Sequence, residues 1–315
     1  RALMPHFAPM DRNLVETGFS VGTYRLQRRF ATNSGVVLQA VSEEGSTVAI
    51  KVIDKVKVCT PGELEGLYRE FRFLCEIIKH PNITLCLGML HSLARVYLLF
   101  EFAGNSNLVE ALSSRPGQRF DEEEAMSVCQ QVVRGIAFCH KHDVCHRNLS
   151  LHHVVLSSQP DSAGFICKVV DFHSAMVARG GTTSRTVSGS MPCMAPEMAL
   201  GGPYVPRLAD CWSVGIILLE TAGGLCSLSR AIPYPVEADP RAVAPSIQHH
   251  FLREDGHREA LAAVGAVDSR PVIKILQALL QPAPEHRSQL ATLLEGKYGF
   301  ESLKEVSGEA SSKNS

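Results

Sequence analysis

No apolar run in this sequence is long enough to cross a bilayer. The most apolar stretches, such as residues 214–219, fall far short of the about 20 residues a spanning helix needs. Neither sign of charge is in excess: 31 basic and 32 acidic residues leave a net charge of −1. That balance argues against nucleic acid and against an anionic membrane as partners. No CxxC pair and no framework spacing organise the ten cysteines. Several fall in apolar, periodic segments where a thiol behaves as a small hydrophobe. They are predicted to be reduced, in an intracellular and cytoplasmic chain. Residues 1–20 lack a charged start followed by an apolar stretch, so no secretory signal is expected there. No internal repeat is visible, and the chain opens on Arg1 rather than Met, like a piece excised from a longer protein.

What is present suffices for a large core: 315 residues, 45% of them hydrophobic, predict one large domain or two smaller lobes. Residues 1–17 have no period and read as a leader. Residues 24–52 read as strands and turns, with an apolar run at 36–41, a turn over Glu43, Glu44, Gly45 and Ser46, and a β-branched run at 47–53. Leu64, Leu67, Phe71, Leu74 and Ile78 recur at helical spacing, and His80, Pro81 and Asn82 end that helix. A strand-length apolar run at 96–102 leads to Ala103, Gly104 and Asn105, where a hinge is expected. Beyond it, 122–140 is helical, 154–156 and 166–170 are strand candidates, 208–222 is a buried helix and 272–280 a last core helix. Residues 223–256, rich in Pro, Gly and His, read as a long loop. The predicted division is therefore an α+β chain in two lobes, a small β-rich lobe at 18–103 and a larger helical lobe at 104–300. A polar tail at 301–315 is expected to be disordered.

Five short motifs occur in order, each in a fitting context. Gly35 and Val37 lie in the first strands, and Val48, Ala49, Ile50 and Lys51 end a later one. His146, Arg147, Asn148 and Leu149 follow a helix. Asp171, Phe172 and His173 follow a strand, and Ala195, Pro196 and Glu197 lie past a Ser/Thr-rich segment. Over about residues 20–300 this order resembles the protein kinases, in their Ser/Thr branch. The resemblance implies a two-lobed protein-kinase-like fold. It implies a nucleotide cleft built from Gly35, Val37, Ala49, Lys51, Glu70, Phe100, Glu101, Ala103, Val155 and Asp171. Lys51 would meet phosphates with Glu70 as its helical partner, Phe100 would stand as gatekeeper, and Asp171 would hold metal. Asp210 is expected to hold the catalytic-loop backbone, and Glu197 to form a buried ion pair with Arg287.

The departures from the family pattern cluster at the reaction centre. Phe30 and Thr32 take the first two glycine places of the phosphate-covering loop, where side chains obstruct the close approach of backbone to phosphate. Asn148 stands at the catalytic Asp position, and a neutral amide cannot accept the substrate hydroxyl's proton. Ser150 stands at the lysine position and removes a cation from the phosphoryl group. His153 replaces an oxygen ligand of magnesium, a poor exchange for a cation that prefers oxygen. His173 replaces the glycine after Phe172. The resemblance therefore implies a pseudokinase acting as a scaffold or allosteric regulator of a protein partner, an active kinase for example. ATP is its implied ligand, with Mg2+ or Mn2+ held weakly at Asp171, or manganese or zinc at Asp171 with His153 in the old magnesium place. The rival within the family is a slow or atypical Ser/Thr kinase. A zinc site drawn from Cys139, His140, His142, Cys145, His146, His152 and His153 is a further alternative. Residues 174–194 carry Thr182, Thr183, Ser184, Thr186, Ser188 and Ser190. They read as a mobile polar loop that a phosphate could order through Arg147.

Overall fold

The computed structural model describes residues 20–32, 35–158, 164–234, 238–262 and 269–300. The expected leader at 1–17 and tail at 301–315 lie outside the described residues. The chain builds a small lobe around a six-stranded sheet and a larger helical lobe after it, the two-lobed α+β arrangement anticipated above.

The small-lobe sheet comprises β1 (Ser20–Val21), β2 (Tyr24–Thr32), β3 (Gly35–Val41), β4 (Thr47–Asp54), β5 (Cys86–His91) and β6 (Arg95–Glu101), in the antiparallel order β1-β2-β3-β4-β6-β5. One face closes over Leu26, Leu38, Val48, Ile50, Tyr97 and Leu99. Because side chains alternate along a strand, the opposite face of β4 carries Ala49 and Lys51. Register places Val37 beside Lys51, and Ala49 beside Phe100. Helix α1 (Pro61–Arg72) starts at a reciprocal capping box between Thr60 and Glu63 with Pro61 in its first turn. It runs into a π turn at Phe73–Ile77.

The chain leaves β6 through Gly104, whose φ of +148° few other residues adopt; a Cβ there would stand 2.0 Å from the Leu156 carbonyl oxygen. The large lobe then holds β7 (Ser106–Asn107), α2 (Leu108–Ser113), α3 (Glu122–Lys141), β8 (Val144–Cys145), β9 (Val154–Ser158), β10 (Phe165–Val169), β11 (Met176–Val177), α4 (Pro196–Ala199), α5 (Pro206–Gly223), α6 (Ser227–Ala231), α7 (Pro240–Leu252), α8 (Gly256–Ala262), α9 (Arg270–Leu279) and α10 (Leu290–Leu293). Helix α5 is buried on nearly all sides and sits in the core, packed against α3 and α9. All ten cysteines are free thiols. Among the described residues no helix is long and apolar enough to cross a membrane.

One expectation is corrected. Residues 223–256 are not a long loop: α6, α7 and the start of α8 occupy most of them. Asp239 caps α7 and Pro240 opens it. Val243, Ala244, Ile247 and Phe251 form a buried stripe that holds the helix despite the internal Pro245.

Glu220 on α5, 3% exposed, turns its carboxyl toward the start of α6. It accepts from the Leu228 N–H at 3.1 Å and from the Cys226 N–H. Burial pushes its pKa from 4.5 up to about 7, against the pull of those backbone donors. The folded state therefore holds the proton more tightly than the unfolded one. The resulting stability is complete below 4.5 and is lost as pH rises through about 7. Thermal melts of Glu220→Gln across that window should lose this fall, so the variant gains on the parent as pH rises. A parallel decline in both proteins would refute the assignment.

Candidate active site

Between the lobes lies a cleft of about 540 Å3. Nine of the residues assigned to it from sequence line it: Val37, Ala49, Lys51, Glu70, Phe100, Glu101, Ala103, Val155 and Asp171. Gly35, at the start of β3, is outside that lining. Phe30 is part of it, at the first glycine place, with the Arg28 guanidinium 4.6 Å from the centre of its ring. The side chain of Thr32 lies outside the described residues.

The centre of the cleft is a charge network reaching both lobes. Lys51, 6% exposed, donates to Glu70 Oε1 and Oε2 at 3.1 and 3.0 Å and to Asp171 Oδ1 at 2.6 Å. Glu70 Oε1 also accepts from the Phe172 N–H at 3.1 Å. Burial opposes the Lys51 ammonium, but Glu70 and Asp171 outweigh it and raise its pKa. Burial raises the Glu70 carboxyl, with the Lys51 charge pulling the other way. Burial also opposes the Asp171 carboxylate, yet Lys51 and the neighbouring histidines overcome it and hold Asp171 well below the usual range.

Two histidines flank Asp171. His173 Nδ1 lies 3.0 Å from Oδ1, and His153 Nε2 lies 3.4 Å from Oδ2. His153 Nδ1 is 2.7 Å from the Asn148 carbonyl oxygen. A carbonyl only accepts, so that nitrogen carries the proton. Ser150 Oγ stands 3.3 Å from the same Nδ1. Burial pushes the pKa of His153 down, although Asp171 pulls it up. The direct contact between His173 and Asp171 was not foreseen; its only sequence signal was an imidazole two places after a carboxylate. Arg29, Asn107, Glu110 and His152 also line the cleft without having been assigned to it.

The four carboxylates in the lining are all engaged away from position 148. Glu70 and Asp171 meet Lys51. Glu101 pairs with Lys168 at 2.8 Å, and Glu110 closes the capping box of α2 with Asn107. Each of them is committed to a partner other than Asn148.

The zinc alternative finds its best geometry at His140, Cys145 and Asp210, whose ligating atoms lie within 4.8 Å of one another. The His140 and Asp210 atoms are already satisfied as protein contacts. Asp210 Oδ2 accepts from His140 Nε2 and the His146 N–H, both at 2.9 Å, and Oδ1 from the Arg147 N–H at 2.7 Å. Burial holds the Cys145 thiol protonated. His146 donates from Nε2 to the Val170 carbonyl and accepts at Nδ1 from the Asn148 N–H. Burial takes its pKa down to about 4, which suits a neutral packing residue. Asp210 thus sits under the catalytic loop and holds its backbone.

Arg287 grips Glu197 through two hydrogen bonds of 2.6 and 2.8 Å, and its guanidinium lies 4.9 Å from the centre of the Trp212 ring. The segment expected as a mobile polar loop is tied down at several points. Ser184 and Tyr204 exchange backbone hydrogen bonds. The Thr186 carbonyl accepts from the Tyr204 hydroxyl and from Arg147 Nη2, both at 2.8 Å.

Comparison with known proteins agrees with this geometry. The sequence is 31% identical over 207 residues to CBL-interacting protein kinase 8 of Oryza sativa subsp. japonica, covering 65% of this chain and 45% of that protein. It is 30% identical over 200 residues to Serine/threonine-protein kinase SIK1 of Mus musculus, covering 63% of the chain and 24% of the relative. It is 30% identical over 184 residues to NUAK family SNF1-like kinase 2 of Rattus norvegicus, covering 58% and 28%. The matched region spans less than half the length of each of these relatives. The sequence model of the protein kinase domain matches residues 32–299, and on that match and this fold the chain belongs to the protein kinase family.

Proposed function

We propose that this kinase domain is a pseudokinase: it keeps the fold and a nucleotide cleft, and acts by presenting its lobes to a protein partner rather than by phosphoryl transfer. The observation that carries the reading is Asn148 at the catalytic position, with no carboxylate of the cleft available in its stead. Ser150 and His153 stand where a cation and an oxygen ligand would act. Kinase catalysis is mostly positioning and charge stabilisation, so three losses at one centre are severe, although they do not add simply. An active kinase is the partner of first choice.

An adenine nucleotide fits part of the cleft. Val37, Ala49, Phe100 and Val155 would hold its base, and Lys51 its phosphates. Bound ATP would supply a transferable phosphoryl group. The chain's own residues would bind and orient it, but Asn148 leaves the acceptor hydroxyl's proton without a base. Magnesium fits poorly, since Lys51 and His173 take one oxygen of Asp171 and His153 offers nitrogen beside the other.

A second reading, a slow Ser/Thr kinase, is favoured by the assembled contact between Lys51 and Glu70 at 3.0 Å. One assay separates the two. Purified chain, ATP and a serine/threonine peptide pool should give turnover at least about 10²-fold below the roughly 1–100 s⁻¹ of active kinases. Ordinary turnover that Lys51→Ala abolishes would overturn the proposal.

A further inference from the structure

Helix α3 keeps a solvent-facing stripe that the nucleotide cleft does not use. Arg134, Phe138 and Lys141 recur at steps of four and three residues and so share one face. None of them lines the cleft. Phe138 is only partly buried, an aromatic ring on the wet side of a helix whose other side is packed in the core. The His80 ring lies 5.1 Å from it and the His142 ring 4.3 Å, centre to centre. Two contacts hold this cluster in place. The Asn82 side chain donates to Gln131 of α3 at 3.0 Å, fastening the turn that carries His80 to the helix. His142 Nδ1 is 2.9 Å from the Phe138 carbonyl oxygen.

The cations around this ring lack partners. Among the described residues, the side chains of Lys79, Arg134 and Lys141 form no hydrogen bond or ion pair. Lys168 is the exception: it pairs with Glu101 at 2.8 Å and donates to the Pro81 carbonyl. Burial pushes the His80 pKa down, and the Arg134 and Lys168 charges push it the same way. The ring therefore sits in a positive field. From Arg134 to Lys141 the helix rises about 10 Å, roughly one Debye length at 0.1 M salt. The two cations thus act together on an incoming charge, over a length that about three residues of extended chain would cover.

We infer that this stripe of α3 is a docking face for an acidic segment of a protein partner. An apolar side chain of that segment would rest against the His80, Phe138 and His142 rings, and its carboxylates would meet Arg134, Lys141 and Lys79. Charge complementarity selects this occupant. Three unpartnered cations are few beside the about 6–10 phosphate contacts through which proteins grip duplex DNA, and the whole chain carries a net charge of −1. A peptide with a few carboxylates matches them, and opposite potentials would steer it in and set its register. The inference rests on reading the chain as one that acts through a protein partner, but it requires neither bound nucleotide nor loss of turnover.

The test follows the fluorescence anisotropy of a short labelled peptide, glutamate pairs alternating with leucine, as the full chain is added. Binding should weaken at least about tenfold between roughly 50 and 300 mM NaCl. Arg134→Glu with Lys141→Glu should weaken it at least about tenfold at the lower salt, and a peptide with lysine in place of glutamate should not bind. Should that double reversal melt early, Arg134→Gln with Lys141→Gln carries the same expectation at about threefold. No binding of the glutamate peptide, equal binding of the lysine peptide, or indifference to both double variants would each overturn the inference. Tighter binding of single-stranded RNA than of the peptide would give the face to nucleic acid and overturn it as well. So would peptide binding that tightens about tenfold in Glu301→Gln with Glu305→Gln, since the chain's own carboxylates would then be the occupant. Ordinary kinase turnover beside intact peptide binding would remove the pseudokinase reading and leave this face standing.

Discussion

Phosphorylation of a serine/threonine peptide pool is expected to rise by about 10²–10⁴-fold when Asn148→Asp and Ser150→Lys are made together. Aspartate is nearly isosteric with asparagine, so the first change adds a proton acceptor with little repacking. The Asn148 side chain lies beside Gly189 of the 174–194 segment, where an added Cβ would come 3.4 Å from its Oδ1. Lysine at the second position returns a cation toward the phosphoryl group. The two groups serve one transition state, so each change alone should give much less than the pair. The check is single-turnover transfer, with Lys51→Ala in the same background as the control for contaminating kinase. A flat response would place the defect elsewhere, with Phe30 over the phosphate end of the cleft the first suspect.

Arg287→Ala is expected to destabilise the large lobe by about 3–5 kcal/mol, lowering Tm by roughly 10 °C for a domain of this size. The Arg287 side chain is fully buried. Besides Glu197 it donates to the carbonyls of Leu208 at 3.0 Å and Gln281 at 2.7 Å. Alanine strands the Glu197 carboxylate and both carbonyls at once, and leaves a space beside Trp212. Arg287→Lys should recover little, because an ammonium cannot reproduce the two-pronged geometry. Pairing Arg287→Met with Glu197→Leu should recover much of the loss, since removing both charges spares the cost of an unpaired one. Chemical denaturation of the four proteins measures this directly. A single-variant loss under about 1 kcal/mol would contradict it.

Much of this molecule could be read from its residues, and the parts that could not share a cause. Strands β2, β3, β4 and β6 and helices α3, α5 and α9 were visible because apolar or β-branched runs and helical stripes are written into their positions, whereas β1 and β5 were not called. Glu70 as the partner of Lys51, and Glu197 as the partner of Arg287, came from their places in the motifs that carry the resemblance. Helices α6 and α7 were missed because Pro, Gly and His outweighed a sparse stripe. Pro240 opens a helix there instead of breaking one, and core packing carries Pro245. The contact of Asp171 with His173, and the tautomer of His153, were out of reach for another reason. They depend on ring orientation and on which nitrogen bears the proton, neither of which leaves a trace in spacing.

The tether between Arg147 and the Thr186 carbonyl has one more implication. In this arrangement the guanidinium is already committed to the Tyr204 hydroxyl and to main-chain oxygen. An incoming phosphoryl group on a nearby threonine would have to evict those acceptors before the arginine could clasp it. The face around Tyr204 is therefore already held together by the unmodified chain's own hydrogen bonds.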